Sequence, residues 1–241
     1  RKRWPSIAAN AARSARHMAE AQGLLDAVAE HDWMRARDGA RLEVAGLMGL
    51  EPGRAANLVR FWIRRFGHNL PSAQNLERLL AMMTGAASDS TPCVRWPGTA
   101  VRRYRGRLYI SQAGELAAPG EMEWNWTARR SLALGAGLGS LSMTAGPGPA
   151  TLAQDRLPKL LSLRAGTGGE SLRPSPGARQ RSLRNLYQEA GVVPWLRKSI
   201  PHLCAGRELI AVGNLWSDAR YQPQEGETAI HVEWRDGPEL F

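Results

Sequence analysis

Residues 166–201 read GTGGESLRPSPGARQRSLRNLYQEAGVVPWLRKSIP. The stretch joins a glycine-rich turn, a proline-stiffened basic segment and a short amphipathic run. From Ser182 to Ala190 the spacing predicts a helix with Leu183, Leu186 and Tyr187 facing inward. Gly191 is placed to stop it. Arg181 and Arg184 are three residues apart, which puts them on one helical face, with Arg179 in the turn that enters it. Beyond Gly191, Trp195 is expected inward, with Arg197 and Lys198 outward. The segment upstream, LLSLRAG, reads as a strand, and so do RELIAVGNLWSDARYQ and TAIHVEWR downstream. A short helix among strands implies a mixed, strand-rich domain.

The glycine turn admits a second reading, as a phosphate cradle. GTGGES has some likeness to the S-G-G-x-D-S start of a pyrophosphatase-type nucleotide loop. It is one residue short, and Pro174 and Pro176 stand where a helix N-terminus must donate its amides. No Walker-type G-x-x-x-x-G-K-[ST] occurs either. The stretch is therefore expected to be a basic surface that does not bind ATP. Between Arg164 and Lys198 there are seven basic residues and two acids, whereas Glu208 to Phe241 has seven acids and two arginines. This half of the chain is electrically polarised.

The first half has a different character. Ser6 to Met34 follows a helical period, with Ile7, Ala11, Ala15, Met18, Gln22, Leu25 and Val28 as its stripe and Pro5 in its first turn. Such length suggests a connector helix. Arg54 to Phe66 reads as a helix with Leu58, Phe61, Trp62 and Phe66 inward, leaving Arg60, Arg64 and Arg65 near the opposite face. Ser72 caps another helix carrying Leu76, Leu79, Leu80 and Met83. This pair has some helix-turn-helix character. CVRWPGTAVRRYRGRLYI predicts strands turning at Pro97-Gly98 and at Arg105-Gly106. Simple alternation puts Arg103, Arg105 and Arg107 on one side and Tyr104 and Leu108 on the other. Trp96, in this basic hairpin, is a candidate for RNA contact. SQAGELAAPGEMEWN reads as a linker, GPGPATLAQDRLPK as a flexible loop, and GAGLG as a turn between antiparallel strands.

With 241 residues, 43% of them hydrophobic, the chain can bury one or two cores. Its formal charge is +10, mostly from arginine, which favours nucleic acid first and anionic membrane second. No apolar run is long enough for a membrane span. Cys93 and Cys204 lack metal-ligand spacing and fit a reduced, cytoplasmic protein. His17, His31, His68, His202 and His231 are scattered without a nucleophile, and Asp89 and Ser90 have no evident base. No catalytic residue, metal site or cofactor site is expected in this chain.

The joint order of three segments resembles the bacterial tRNA(Ile)-lysidine synthase family. SLRNLYQEAGVVPW is similar to a segment of that family's C-terminal domain, with Val193 in place of its first proline. RWPSIAANAARSARHMAEAQGLLDAVAEHDW resembles the helix after its catalytic domain. LEPGRAANLVRFWIRRFGHNLPSAQNLERLL and CVRWPGTAVRRYRGRLYI resemble its middle, substrate-binding domain. The ATP-binding S-G-G-x-D-S loop is missing and the first residue is not Met, so a C-terminal fragment is expected. The resemblance implies an α+β fold. Residues 1–34 would form a connector helix and residues 35–115 a small, mainly helical domain with a β-hairpin. Residues 121–241 would form an α/β sandwich similar to a domain of the phenylalanyl-tRNA synthetase β subunit. The family uses ATP to join lysine to the wobble cytidine of an isoleucine tRNA, changing codon reading from AUG to AUA. The implied partners are that tRNA, an N-terminal catalytic domain and, in a homodimer, a second copy. Candidate tRNA contacts are Arg60, Arg64, Arg65, Arg102, Arg103 and Arg105 in the middle domain. In the last domain they are Arg173, Arg179, Arg181, Arg184, Arg197 and Lys198. The competing expectation is a free-standing nucleic-acid-binding or regulatory protein of helix-turn-helix type.

Overall fold

The computed structural model describes residues 7–85 and 91–241. Pro5, Ser6, Asp89 and Ser90 lie outside the described residues, as do the side chains of Ile7 and Met83. The fold is α+β, in two compact units, Arg1–Gly114 and Glu115–Phe241. Among the described residues no helix is long and apolar enough to cross a membrane.

The first unit opens with helix α1, Ile7–Ala36. Its last turns bury Ala29, Asp32, Trp33 and Ala36, spaced by three and four residues. The same stripe continues upstream through Val28, Leu25, Gln22 and Met18, but there it is exposed, Met18 to 72%. Among the described residues, α1 is met from Leu25 onward, at Leu25, Asp26, Glu30 and Asp32.

Strands β1 (Arg37–Asp38) and β2 (Arg41–Glu43) follow, then α2 (Val44–Met48), α3 (Pro52–Arg65) and α4 (Ala73–Gly85). Strands β3 (Cys93–Trp96), β4 (Thr99–Tyr104) and β5 (Arg107–Gln112) complete an antiparallel sheet of order β1-β2-β5-β4-β3. The expected hairpin is part of a five-stranded sheet. β1 and β2 are two and three residues long, too short to show a period. Helix α3 buries Ala55, Leu58, Val59, Trp62 and Ile63. Phe66, expected inward, is 37% exposed, with its ring edge against Trp33. Ser72 caps α4 by accepting from the Asn75 amide, as its sequence position implies.

The hairpin turns fall at Pro97-Gly98 and Arg105-Gly106. Both residues of the second turn have positive φ, 47° at Arg105 and 74° at Gly106, which matches the twist of the flanking strands. The facing residues differ from the alternation expected. Arg103 pairs with Leu108 and Tyr104 with Arg107, and directly paired residues share a face. The two turn residues interrupt the count, so Arg107 lies with Tyr104 and not with Arg103.

In the second unit, β6 (Met122–Asn125), β7 (Ser131–Ala133), β8 (Ser140–Ala145) and β9 (Thr151–Ala153) come first. Then come β10 (Leu160–Arg164), β11 (Ser171–Leu172), β12 (Arg181–Ser182) and α5 (Leu183–Ala190). A 3-10 turn at Pro194–Ser199 leads to β13 (His202–Ala205), β14 (Glu208–Val212), β15 (Trp216–Ser217) and β16 (Ala229–Arg235). One sheet has the order β15-β14-β13-β10-β6 and another β7-β8-β16-β9, while β11 and β12 form a small ribbon. The two larger sheets share one core. Trp124, Leu161, Leu163 and Leu203 of the first cluster with Leu141, Met143, Leu152, Ile230 and Val232 of the second. Leu183, Leu186 and Tyr187 of α5 join it. Two segments read as irregular hold strands: β6 closes the supposed linker, and β9 lies in the supposed flexible loop. Each is four residues or fewer. GAGLG is a turn between β7 and β8, closed by the Leu134 amide donating to Gly139.

Limited proteolysis is expected to cut first within residues 113–118, where the backbone is almost continuously exposed. It should leave a stable fragment of about 115–120 residues, an ordinary domain size. Loss of all folded material on that first cut would contradict two self-supporting units.

Candidate nucleic-acid interface

The glycine turn at 166–170 is a cradle, and its occupant is its own carboxylate. One Glu170 carboxylate oxygen, Oε1, accepts from the Thr167 amide at 2.7 Å, the Thr167 hydroxyl at 2.9 Å and an Arg164 Nη1 at 2.9 Å. Burial pushes the Glu170 carboxyl up, but these donors more than offset it and hold it at about 2. The site's anion is thus supplied internally. The Thr167 amide, the Thr167 hydroxyl and an Arg164 N–H all point at this one carboxylate oxygen.

Beneath the turn lies a buried polar cluster that the sequence reading missed. His202, 1% exposed, approaches Glu170 with Nδ1 at 3.8 Å, and its Nε2 lies 3.1 Å from the Tyr187 hydroxyl. A Cβ at Gly166 would stand 2.7 Å from the His202 ring, so the turn must be glycine to lie on it. Burial lowers the His202 pKa to about 4, and burial raises those of Tyr187 and Cys204. The neutral ring, the tyrosine and the carboxylate tie β13, α5 and the glycine turn together. In sequence only the Gly-Gly-Glu triplet hints at this, because the partners lie far along the chain.

The cluster braces a basic ribbon. From Glu170, β11 leads into the loop 173–180 and returns through β12 into α5, whose N-cap Ser182 accepts from the Asn185 amide. The loop is fastened at both ends. The Arg173 amide donates to Asp218 at 3.2 Å, Gln222 donates to the Pro174 carbonyl at 3.0 Å, and Gln180 bonds Ser171. Arg173, Arg179 and Arg184 point their exposed side chains from this scaffold, and among the described residues none of the three has an ion pair. Arg181 is half-buried and paired with Glu189 in the last turn of α5. It sits in β12 ahead of the helix, which corrects the expectation that it shares a helical face with Arg184. The strand ends one residue later than helical spacing suggests.

Arg197 departs from its expected outward course. Its guanidinium donates to the Val192 carbonyl through Nε at 3.1 Å and Nη2 at 2.9 Å, and it lies over the Tyr187 ring. It stabilises the exit from α5. Trp195 is half-buried and Lys198 is exposed.

In the first unit the candidate arginines divide. Arg60 is exposed. Arg64 pairs with Asp26 at 2.5 Å and Arg65 with Glu30 at 4.0 Å, which fastens α3 to α1 beside the forked Arg54–Asp32 pair. Arg102 is 6% exposed and donates to Ser111, Arg103 donates to the Met82 carbonyl, and Arg105 lies over the Tyr104 ring. Trp96 is not a surface platform. It is buried in the core and its indole donates to the Asn69 carbonyl at 2.7 Å, like Trp62 to Ala40 and Trp124 to Arg129.

Comparison with known proteins matches residues 42–109 to the TilS substrate binding domain and residues 161–234 to the TilS substrate C-terminal domain. The tRNA(Ile)-lysidine synthase of Ralstonia nicotianae is 36% identical over 239 residues, covering 96% of this chain and 51% of that protein. Those of Methylococcus capsulatus and Coxiella burnetii are 34% and 35% identical, covering 96% and 97% of this chain and 53% and 50% of theirs. The chain thus spans about half the length of these relatives. A crystal structure of a TILS C-terminal domain aligns with 50% of this chain at 15% identity and a TM-score of 0.37.

Proposed function

We propose that this chain, which belongs to the tRNA(Ile)-lysidine synthase family through its substrate-binding and C-terminal domains, is the part of such an enzyme that grips tRNA. The observation that carries the reading is the braced ribbon holding Arg173, Arg179, Arg181 and Arg184 at the surface of the second unit. Guanidinium forks suit phosphate oxygens, and a rigid mount limits the entropy lost on binding. In this reading the substrate is an isoleucine tRNA and the ribbon holds its acceptor stem, while the first unit helps to hold the anticodon arm. Contacts far from the reacting cytidine then supply binding energy that positions it. In this reading ATP and lysine are handled by a catalytic domain of the whole enzyme, and the glycine turn at 166–170 is filled by Glu170.

The test is a triple substitution, Arg179, Arg181 and Arg184 to Ala. None of the three belongs to the apolar core, so the fold is expected to persist. Each lost phosphate contact flattens the slope of log K for tRNA against log salt by about 0.7–0.9. The triple variant should therefore lose about 2.1–2.7 units of slope and bind more weakly at low salt. A folded triple variant with unchanged affinity and slope would overturn the reading.

A further inference from the structure

We propose that Glu189 is a built-in competitor for RNA phosphate, holding Arg181 until a correctly placed phosphate takes the carboxylate's position. The inference rests on the tRNA-gripping reading above and goes on to assign a role to an acid.

Between Arg164 and Lys198 there are two acids. Glu170 is taken up by Arg164 and Thr167 and is largely buried. Glu189 is the one that faces solvent, 59% exposed at its side chain, and it meets Arg181 from the far end of α5. In sequence Arg181 stands between Arg179 and Arg184, which have no ion pair among the described residues. Arg181 therefore differs from its neighbours: its guanidinium already holds a carboxylate, through one nitrogen, where a phosphate oxygen would bind. An exposed pair of this kind is weak, so a phosphate at the same place can displace it. A polyanion that misses the register meets the pair closed, and the Glu189 charge repels it. The pair thus lowers affinity for any polyanion while favouring a ligand that reaches all three arginines together.

The experiment is a double-mutant cycle on the 241-residue chain, using an unmodified isoleucine tRNA transcript at fixed low salt, with folding checked by circular dichroism. Glu189→Gln is expected to tighten binding by about two- to fivefold, the range set by an exposed pair. In the Arg181→Gln background the same substitution is expected to have less than half that effect, because no guanidinium remains to be released. Equal tightening in both backgrounds would mean that Glu189 acts only as a general negative charge and would overturn the proposal. So would unchanged affinity in Glu189→Gln. Failure of the unsubstituted chain to bind the transcript overturns the underlying reading instead, and the proposal with it.

Discussion

Glu170→Ala is expected to destabilise the second unit by about 2 kcal/mol, the order of losing hydrogen bonds to a charged group at a part-buried site. The substitution leaves the Arg164 guanidinium and the Thr167 amide without the acceptor they share. It also removes the carboxylate closest to the His202 ring. Chemical denaturation read by circular dichroism measures the loss, and a change below about 0.5 kcal/mol, the range of an ordinary surface substitution, would contradict the bracing role.

The same cluster sets a pH dependence. His202 is held neutral in the folded unit, with its pKa lowered to about 4, whereas the unfolded chain takes up that proton near 6.5. The unfolded state therefore binds more protons across this window. Stability is full above about 6.5 and falls as pH drops toward 4, by up to about 1.4 kcal/mol per unit. Glu170 adds a loss in the same direction below its ordinary value of 4.5, as pH falls toward about 2. His202→Gln is expected to abolish most of the slope between pH 6.5 and 4.5. Retention of the full slope in that variant would assign it to other groups.

Trp62→Ala is expected to cost the first unit about 3–5 kcal/mol, the usual penalty for emptying a buried aromatic site. Trp62 is completely buried, joins α3 to the core shared with Leu42, Leu108 and Trp33, and donates its indole proton to the Ala40 carbonyl at 2.8 Å. Trp62→Phe restores most of the volume but leaves that carbonyl unpaired, and is expected to cost about 1–3 kcal/mol. In both variants the unfolding transition of the second unit should stay where it is. Joint loss of both transitions would contradict two separately built cores.

How much of this was legible in the sequence depends on the range of the interaction. Helices α3, α4 and α5 follow from local apolar spacing together with Ser72 as a cap and Gly191 as a stop. The two hairpin turns follow from Pro97-Gly98 and Arg105-Gly106. Strands β1, β2, β6 and β9 were not legible, because two to four residues show no period and their pairing is decided by partners elsewhere in the chain. The site divides in the same way. Arg184 was readable as exposed because the apolar stripe of α5 excludes it, and Arg179 because it falls in the turn before that helix. The inward turn of Arg197 onto Val192, the Arg64–Asp26 pair and the burial of Trp96 were not, since each needs a fold-dependent partner. The Glu170–His202 approach spans 32 residues and left no local mark at all beyond a glycine beside each shared turn.

The central claim is that the ribbon from Ser171 to Ser182 and the start of α5 grip tRNA. Backbone footprinting of an isoleucine tRNA with the chain tests it most directly, run in parallel with the triple arginine variant and with duplex DNA as competitor. The account predicts protection on the acceptor stem that the variant loses, and binding that excess duplex DNA does not displace. Protection unchanged in the variant, or equal affinity for duplex DNA, would contradict it.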